Sequence, residues 1–397
     1  MPAFDTAKPK LRYQLSFEGS WPTAVAFLGS GRRLAAANQL GHIFVWDLPE
    51  TPPAFTAKAG KDRQAPDVSP VRRLDGHTNE VTRLAATADG KRLVSASLDR
   101  TVRVWPTDAK AAGKAEVILD SDTRKREARR TGKKEPAAPG VTVQTQTDCA
   151  VLEGHAEWVH ALGLSGDGKR AISGDASSRV IVWDLETKKP LAKWTGHAWN
   201  WIVAAALSAD GKSALVSEYR YKRDDWDIPA PALKLWDATT GKEKLDLLKV
   251  QFPKLDPALR SYGSAQVWRK FVGNGLITAA ISPDGKLVAV GQGGETDTGK
   301  VHLLDAATGK LMRDVAGHLN GVTDAVFTSD GKYLISVGRD TTARVCRVAD
   351  GKEVAVAGSP RGGQFKDWLS AVALSPDGRF LAASDIAGLV QVWEFAG

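Results

Sequence analysis

A histidine, a serine, an aspartate and a tryptophan stand at repeated distances in this 397-residue chain. His77, Ser95, Asp99 and Trp105 lie at offsets of 0, 18, 22 and 28 residues. Serine, histidine and a carboxylate are the parts of a hydrolase, in which the imidazole takes the hydroxyl proton and the carboxylate orients the imidazole. No Gly-x-Ser-x-Gly elbow presents any of these serines, however. The set also recurs in fragments. His155, Ser173 and Trp183 keep the spacing with Ser177 at the carboxylate offset; His318, Ser336 and Asp340 keep it with Cys346 at the tryptophan offset; His197 and Trp236 flank an insertion. Partial copies point to a scaffold, where each lost hydrogen bond costs only about 0.5–1.5 kcal/mol net. One complete copy does not by itself exclude a triad.

Other chemistry finds less support. His42, His160 and His302 have no spaced His, Cys or carboxylate partners for a metal, and Cys149 and Cys346 form no CxxC pair. "GETDTGKV" (294–301) imitates a phosphate loop but ends in Val301 and runs into a strand, where a phosphate loop must open a helix. No metal or cofactor is therefore expected. His160 and Glu80 remain the titratable candidates for an enzyme.

The elements that must position these residues are repeated strands. Seven segments align on a tight turn, from "LGSGRRLAAAN" (28–38) through "TADGKRLVSAS" (87–97) to "SPDGRFLAASD" (375–385). The turn positions are 30, 89, 167, 210, 284, 330 and 377, and the three shortest intervals are 43, 46 and 47 residues. Each unit reads as an alternating strand, the turn, a second strand, a third ending in "TVRVW", "RVIVWD" or "LVQVW", and a fourth that often ends at Gly-His. The first strands are rich in Ala and Gly, as crowding around an axis requires.

The Gly-His ending, the Asp-Gly turn and the Trp-Asp ending together resemble the WD40 repeat, over nearly the whole chain outside its insertions. The resemblance implies an all-β fold: one domain, 1–397, built as a seven-bladed propeller of four-stranded antiparallel blades. It also gives the His-Ser-Asp-Trp set a structural role, as a hydrogen-bonded network tying strands together. The last repeat ends after its third strand, so "KLRYQLSFEGS" (10–20) is expected to supply the fourth and close the ring. Insertions fall at about 49–69, 106–140, 217–232 and 250–275; the first two, rich in Pro, Lys and Ala, read as flexible.

Nine residues before each turn stand Trp21, Glu80, Trp158, Trp201, Gly275, Gly321 and Trp368. In WD40 proteins that place lies near the mouth of the central channel, on the face that partners most often use. Two of the insertions should gather there with Tyr219, Arg220, Tyr221, Arg223, Trp226, Tyr262, Trp268 and Arg269. Two readings of the indoles stand side by side: anchors for a partner, or packing that plugs the mouth. Gly275 and Gly321 leave the remaining arc open.

Composition bounds the rest. Hydrophobic residues are 43% and charged residues 25%, ordinary for a globular protein. No leader-like or membrane-spanning run and no Asn-x-Ser/Thr acceptor are seen, which points to the cytoplasm. Of the net charge of +8, about half comes from 121–140, with seven Lys/Arg against three Asp/Glu. The run 124–134 reads as a solvated loop; as an arm it would bind nucleic acid or another polyanion, though no aromatic residue is interleaved. The expected function is a non-enzymatic scaffold binding a protein or peptide through the Trp-bearing face. Nucleic-acid binding through 124–134 and a hydrolase or lyase at the channel mouth are the alternatives. The Ala-rich "DATTGKE" style is similar to bacterial members of the family.

Overall fold

A computed structural model describes residues 8–17, 21–29, 31–56, 64–119, 128–129, 131–134, 140–197, 200–219, 231–253, 271–273, 275–294, 299–359 and 368–395. Each repeat folds as foreseen, starting from its turn. In the second, the Asp89 carboxylate accepts from the Thr87 hydroxyl at 2.6 Å and the Lys91 amide at 3.0 Å. Gly90 takes the left-handed conformation, φ +67°, that reverses the chain without a Cβ penalty. Hairpins built this way make seven blades around one axis.

The apolar faces of the blades bury against each other, giving one core per junction. Ala24, Leu74, Val81, Leu93 and Trp105 join the first two blades; Val25, Phe44 and Trp46 of the first meet Ala371 and Val392 of the seventh. The ring closes as expected: Lys10–Ser16 pairs antiparallel with Leu389–Glu394, so the last blade gains its fourth strand from the start of the chain.

One irregularity repeats seven times. Every first strand is bulged at the same place, between Pro22/Ala24, Val81/Arg83, Val159/Ala161, Ile202/Ala204, Leu276/Thr278, Val322/Asp324 and Leu369/Ala371. A bulge leaves one residue out of the ladder and free to point elsewhere. Four of these residues carry hydroxyls that cross to the next blade. Thr82 donates to Val159 O at 2.7 Å, Thr23 to Val81 O at 2.5 Å, Thr323 to Leu369 O at 2.6 Å, and Ser370 to Pro22 O at 3.0 Å across the closure. In the third blade the bulged residue is His160.

Two insertions differ from expectation. Part of 106–140, with the residues that follow it, is ordered: Gly113–Val117 pairs with Val141–Gln146, which runs parallel to Arg72–Leu74, widening the first blade to six strands. Val117 and Val143 are buried in the core between the seventh and first blades, which fixes the hairpin. In 49–69, residues 64–68 strap the closing strand. Ser16 donates to Asp67 at 2.7 Å, the Ala65 amide to the Gln14 side chain at 3.0 Å, and Trp46 to Val68 O at 3.0 Å. Among the described residues no helix is long and apolar enough to cross a membrane.

Candidate functional site

The hydrogen-bonded set is tested by its donors. Trp105 Nε1 can only donate, and it donates to Ser95 Oγ at 2.8 Å. His77 Nδ1 donates to the Asp99 carboxylate at 2.7 Å, which leaves Nε2 of the neutral imidazole to accept the Ser95 hydroxyl, 2.7 Å away. Burial pulls the imidazole below its ordinary pKa against the pull of Asp99. Burial pushes the Asp99 carboxyl up, but bonds from His77 and Thr101 outweigh it and hold it well below the carboxylate range. This is a hydrolase's proton chain without a hydrolase's access. Ser95, Ser173 and Ser336 are 0%, 0% and 1% exposed, so no substrate carbon reaches any of the three oxygens.

The third blade corrects the spacing argument. Its carboxylate is Asp175, not a residue lost to Ser177: His155 Nδ1 donates to Asp175 at 2.8 Å, Ser173 to His155 at 2.7 Å, and Trp183 to Ser173 at 2.7 Å. Ser177 only braces Asp175, at 2.7 Å. In the sixth blade His318 bonds Asp340 and Ser336, each at 2.9 Å. His318 ends the fourth strand of the fifth blade, Leu311–His318, so the network staples neighbouring blades together. In the fourth blade Val216 stands in the serine's place, His197 meets Glu218 at 3.3 Å, and Trp236 stacks on Trp194 at 5.4 Å.

In five repeats the position nine residues before the turn is fixed by a backbone bond to the hairpin between second and third strands, and in the fourth Trp201 pairs with Tyr219 at the end of its second strand. Trp158 O accepts from Ala176 N at 2.9 Å, Trp368 O from Ile386 N at 3.0 Å, and Glu80 O from Leu98 N at 2.9 Å. Trp21, Glu80, Trp158, Trp201 and Trp368 therefore share one end of the ring. Trp158 and Trp201 meet edge to face at 6.4 Å, and His160 stacks flat on Trp201 at 5.1 Å. Trp158 is 42% exposed and Trp21 46%, so both present ring surface to solvent. Trp368 lies under the Arg339 guanidinium, 4.3 Å from its ring centre.

Gly275 and Gly321, expected to leave an arc open, are each closely approached by a neighbour. A Cβ on Gly275 would come within 3.1 Å of the Tyr219 ring, and one on Gly321 within 2.2 Å of Gly294 O. These glycines admit the neighbouring hairpins. Arg220, Tyr221, Arg223, Trp226, Tyr262, Trp268 and Arg269 lie outside the described residues, as do 124–127 and Arg130 of the basic run. Arg83 and Arg339 were missed by sequence reasoning; each stands at a fixed count from its turn, six before and nine after, where no other repeat carries a charge except Asp324.

The charges at this end are set first by burial. Burial, with the Arg83 guanidinium adding to it, pulls His160 down to about 4. Burial pushes the Glu80 carboxyl up against the opposing Arg83. Away from this end, a cavity of about 240 Å³ lies between the first two blades, edged by Arg33, Arg72, Trp105 and Gln146.

Comparison with known proteins adds a family and several relatives. A family model described as "WD domain, G-beta repeat" matches residues 68–106, 146–184, 309–346 and 361–394. These stretches include all three blades that keep the serine, histidine and carboxylate. "Autophagy-related protein 16" of Arabidopsis thaliana is 27% identical over 237 residues, 59% of this chain and 39% of that protein. "Target of rapamycin complex subunit LST8" of Saccharomyces cerevisiae is 31% identical over 85 residues, 21% of this chain and 24% of that one. An "Uncharacterized WD repeat-containing protein sll1491" of Synechocystis is 32% identical over 124 residues, 31% of this chain and 33% of that one. The chain spans less than two fifths of the length of each of these relatives. Two of the three are eukaryotic, so the bacterial style noted in the sequence finds little support in them.

Proposed function

We propose that this chain, a WD40-repeat protein closed into a seven-bladed propeller, is a non-enzymatic scaffold that docks a protein or peptide on the Trp-bearing end of its ring. One observation carries the reading: Trp158, His160 and Trp201 form a packed aromatic cluster at this end, and Trp158 remains 42% exposed. An indole used only for packing would be covered. Large aromatic side chains held rigidly by neighbours make effective binding anchors, because little rotamer freedom is lost when a partner covers them. The buried serines favour a scaffold over a hydrolase, and one relative is described as the subunit of a complex. A cytoplasmic location and the absence of a cofactor belong to the same proposal.

The test is affinity purification with the wild type and a Trp158→Ala/Trp201→Ala variant, each shown to be folded by circular dichroism. Partners recovered with the wild type are expected to be lost from the variant. Identical partner sets from two folded proteins would end the reading.

A further inference from the structure

The aromatic rings at the mouth are not equally disposed toward charge. Trp368 already has its cation, since Arg339 covers its face at 4.3 Å. Trp158 offers its ring next to two flat neighbours, edge to face with Trp201 at 6.4 Å and with His160 at 6.4 Å. His160 takes the place where other blades carry a bridging hydroxyl, and its Nε2 is buried with no hydrogen-bond partner among the described residues. The imidazole is neutral at pH 7, held so by burial first and Arg83 second.

Charge around this cluster argues against a cationic guest. Arg83 stands in the innermost strand of the adjacent blade, close enough to lower His160 and to oppose burial at both Glu80 and Asp324. A lysine or arginine entering beside Trp158 would face that guanidinium, whose effect at His160 exceeds the opposing one of Asp175; among the described residues the partly buried Glu80 and the exposed Glu157 are the further carboxylates of this end. A neutral ring meets no such opposition and can pack edge to face or offset on both indoles. Arg83, beside His160, favours carboxylates around that ring.

From this geometry we infer that the exposed Trp158 face of the Trp158–His160–Trp201 cluster takes a neutral aromatic side chain from a partner segment that is acidic on either side of it. The inference rests on the reading of this end as the docking surface, and it names the chemistry that the surface selects.

A phage-displayed library of random linear peptides, selected on the full chain, tests it. The expected winners carry Trp, Phe or Tyr flanked by Asp or Glu. A synthetic copy of the winner should bind Trp158→Ala about tenfold or more weakly, the scale of one lost aromatic anchor. Arg83→Gln should weaken it less, and chiefly at low salt. Winners centred on Lys or Arg that still require Trp158 would overturn this inference and leave the docking surface standing. Winners that bind Trp158→Ala and wild type alike, or no winners at all, would overturn both.

Discussion

Asp99 and Asp340 reach their histidines from the turn after the second strand, whereas Asp175 reaches His155 from the last position of that strand. Both routes work because the acceptor need only sit within hydrogen-bonding reach of Nδ1. Spacing alone therefore misassigned the third blade, although Asp175 was visible eight residues after its turn, where Glu218 and Asp385 also stand. The Asp175 carboxylate accepts from His155, the Ser177 amide and hydroxyl, and the Arg179 amide. Asp175→Asn turns an amide donor or a poorer acceptor toward these groups inside the fold, and should cost about 1–3 kcal/mol. Ser177→Ala removes one bond of the four and should cost about 0.5–1 kcal/mol. Equilibrium urea denaturation of the two variants checks the order; equal losses would return the key role to Ser177.

The strands themselves were legible because seven tight turns fix where each hairpin reverses, and the alternation around them fixes which face is buried. The bulges were not, since an extra residue in a strand leaves no mark in an apolar run such as "WIVAAAL". The six-stranded first blade was also hidden, because its added hairpin follows no repeat and pairs with a strand from a different blade. At the Trp-bearing end, counting from the turns placed the indoles at one level but gave no sign that Tyr219 and the Gly294 backbone approach Gly275 and Gly321 so closely. Closure was readable from an orphan strand, and it yields a prediction. Removing residues 1–17 uncovers the backbone of Leu389–Glu394 along with Val390 and Val392, both fully buried in the intact ring. An exposed apolar edge recruits other strands. The truncated chain should elute as oligomers in size exclusion with light scattering, where the full chain gives one smaller species; matching profiles would contradict this role for the strand.

Across the whole ring, the carboxylates of the His-containing networks titrate as a group. Burial raises each of Asp99, Asp175 and Asp340, but their hydrogen bonds win and hold all three below the ordinary range. The unfolded chain then takes up protons first, near pH 4. Stability from these groups is complete above that pH and is lost as pH falls toward their depressed folded values. Each carboxylate contributes a slope of up to about 1.4 kcal/mol per pH unit. Urea midpoints should fall steeply below pH 4, and an Asp175→Asn/Asp340→Asn variant should show a clearly shallower decline; parallel profiles would remove these residues as the cause. The strap over the closing strand has a consequence in time. Ser16 meets Leu389 only 373 residues further along, yet finds Asp67 after 51. At about 5–20 residues per second, a ribosome takes roughly 20–75 s to deliver the distant partner. During that wait the strap gives the emerging segment a berth on the first blade, so Leu389–Glu394 arrives at a mate already moored in place.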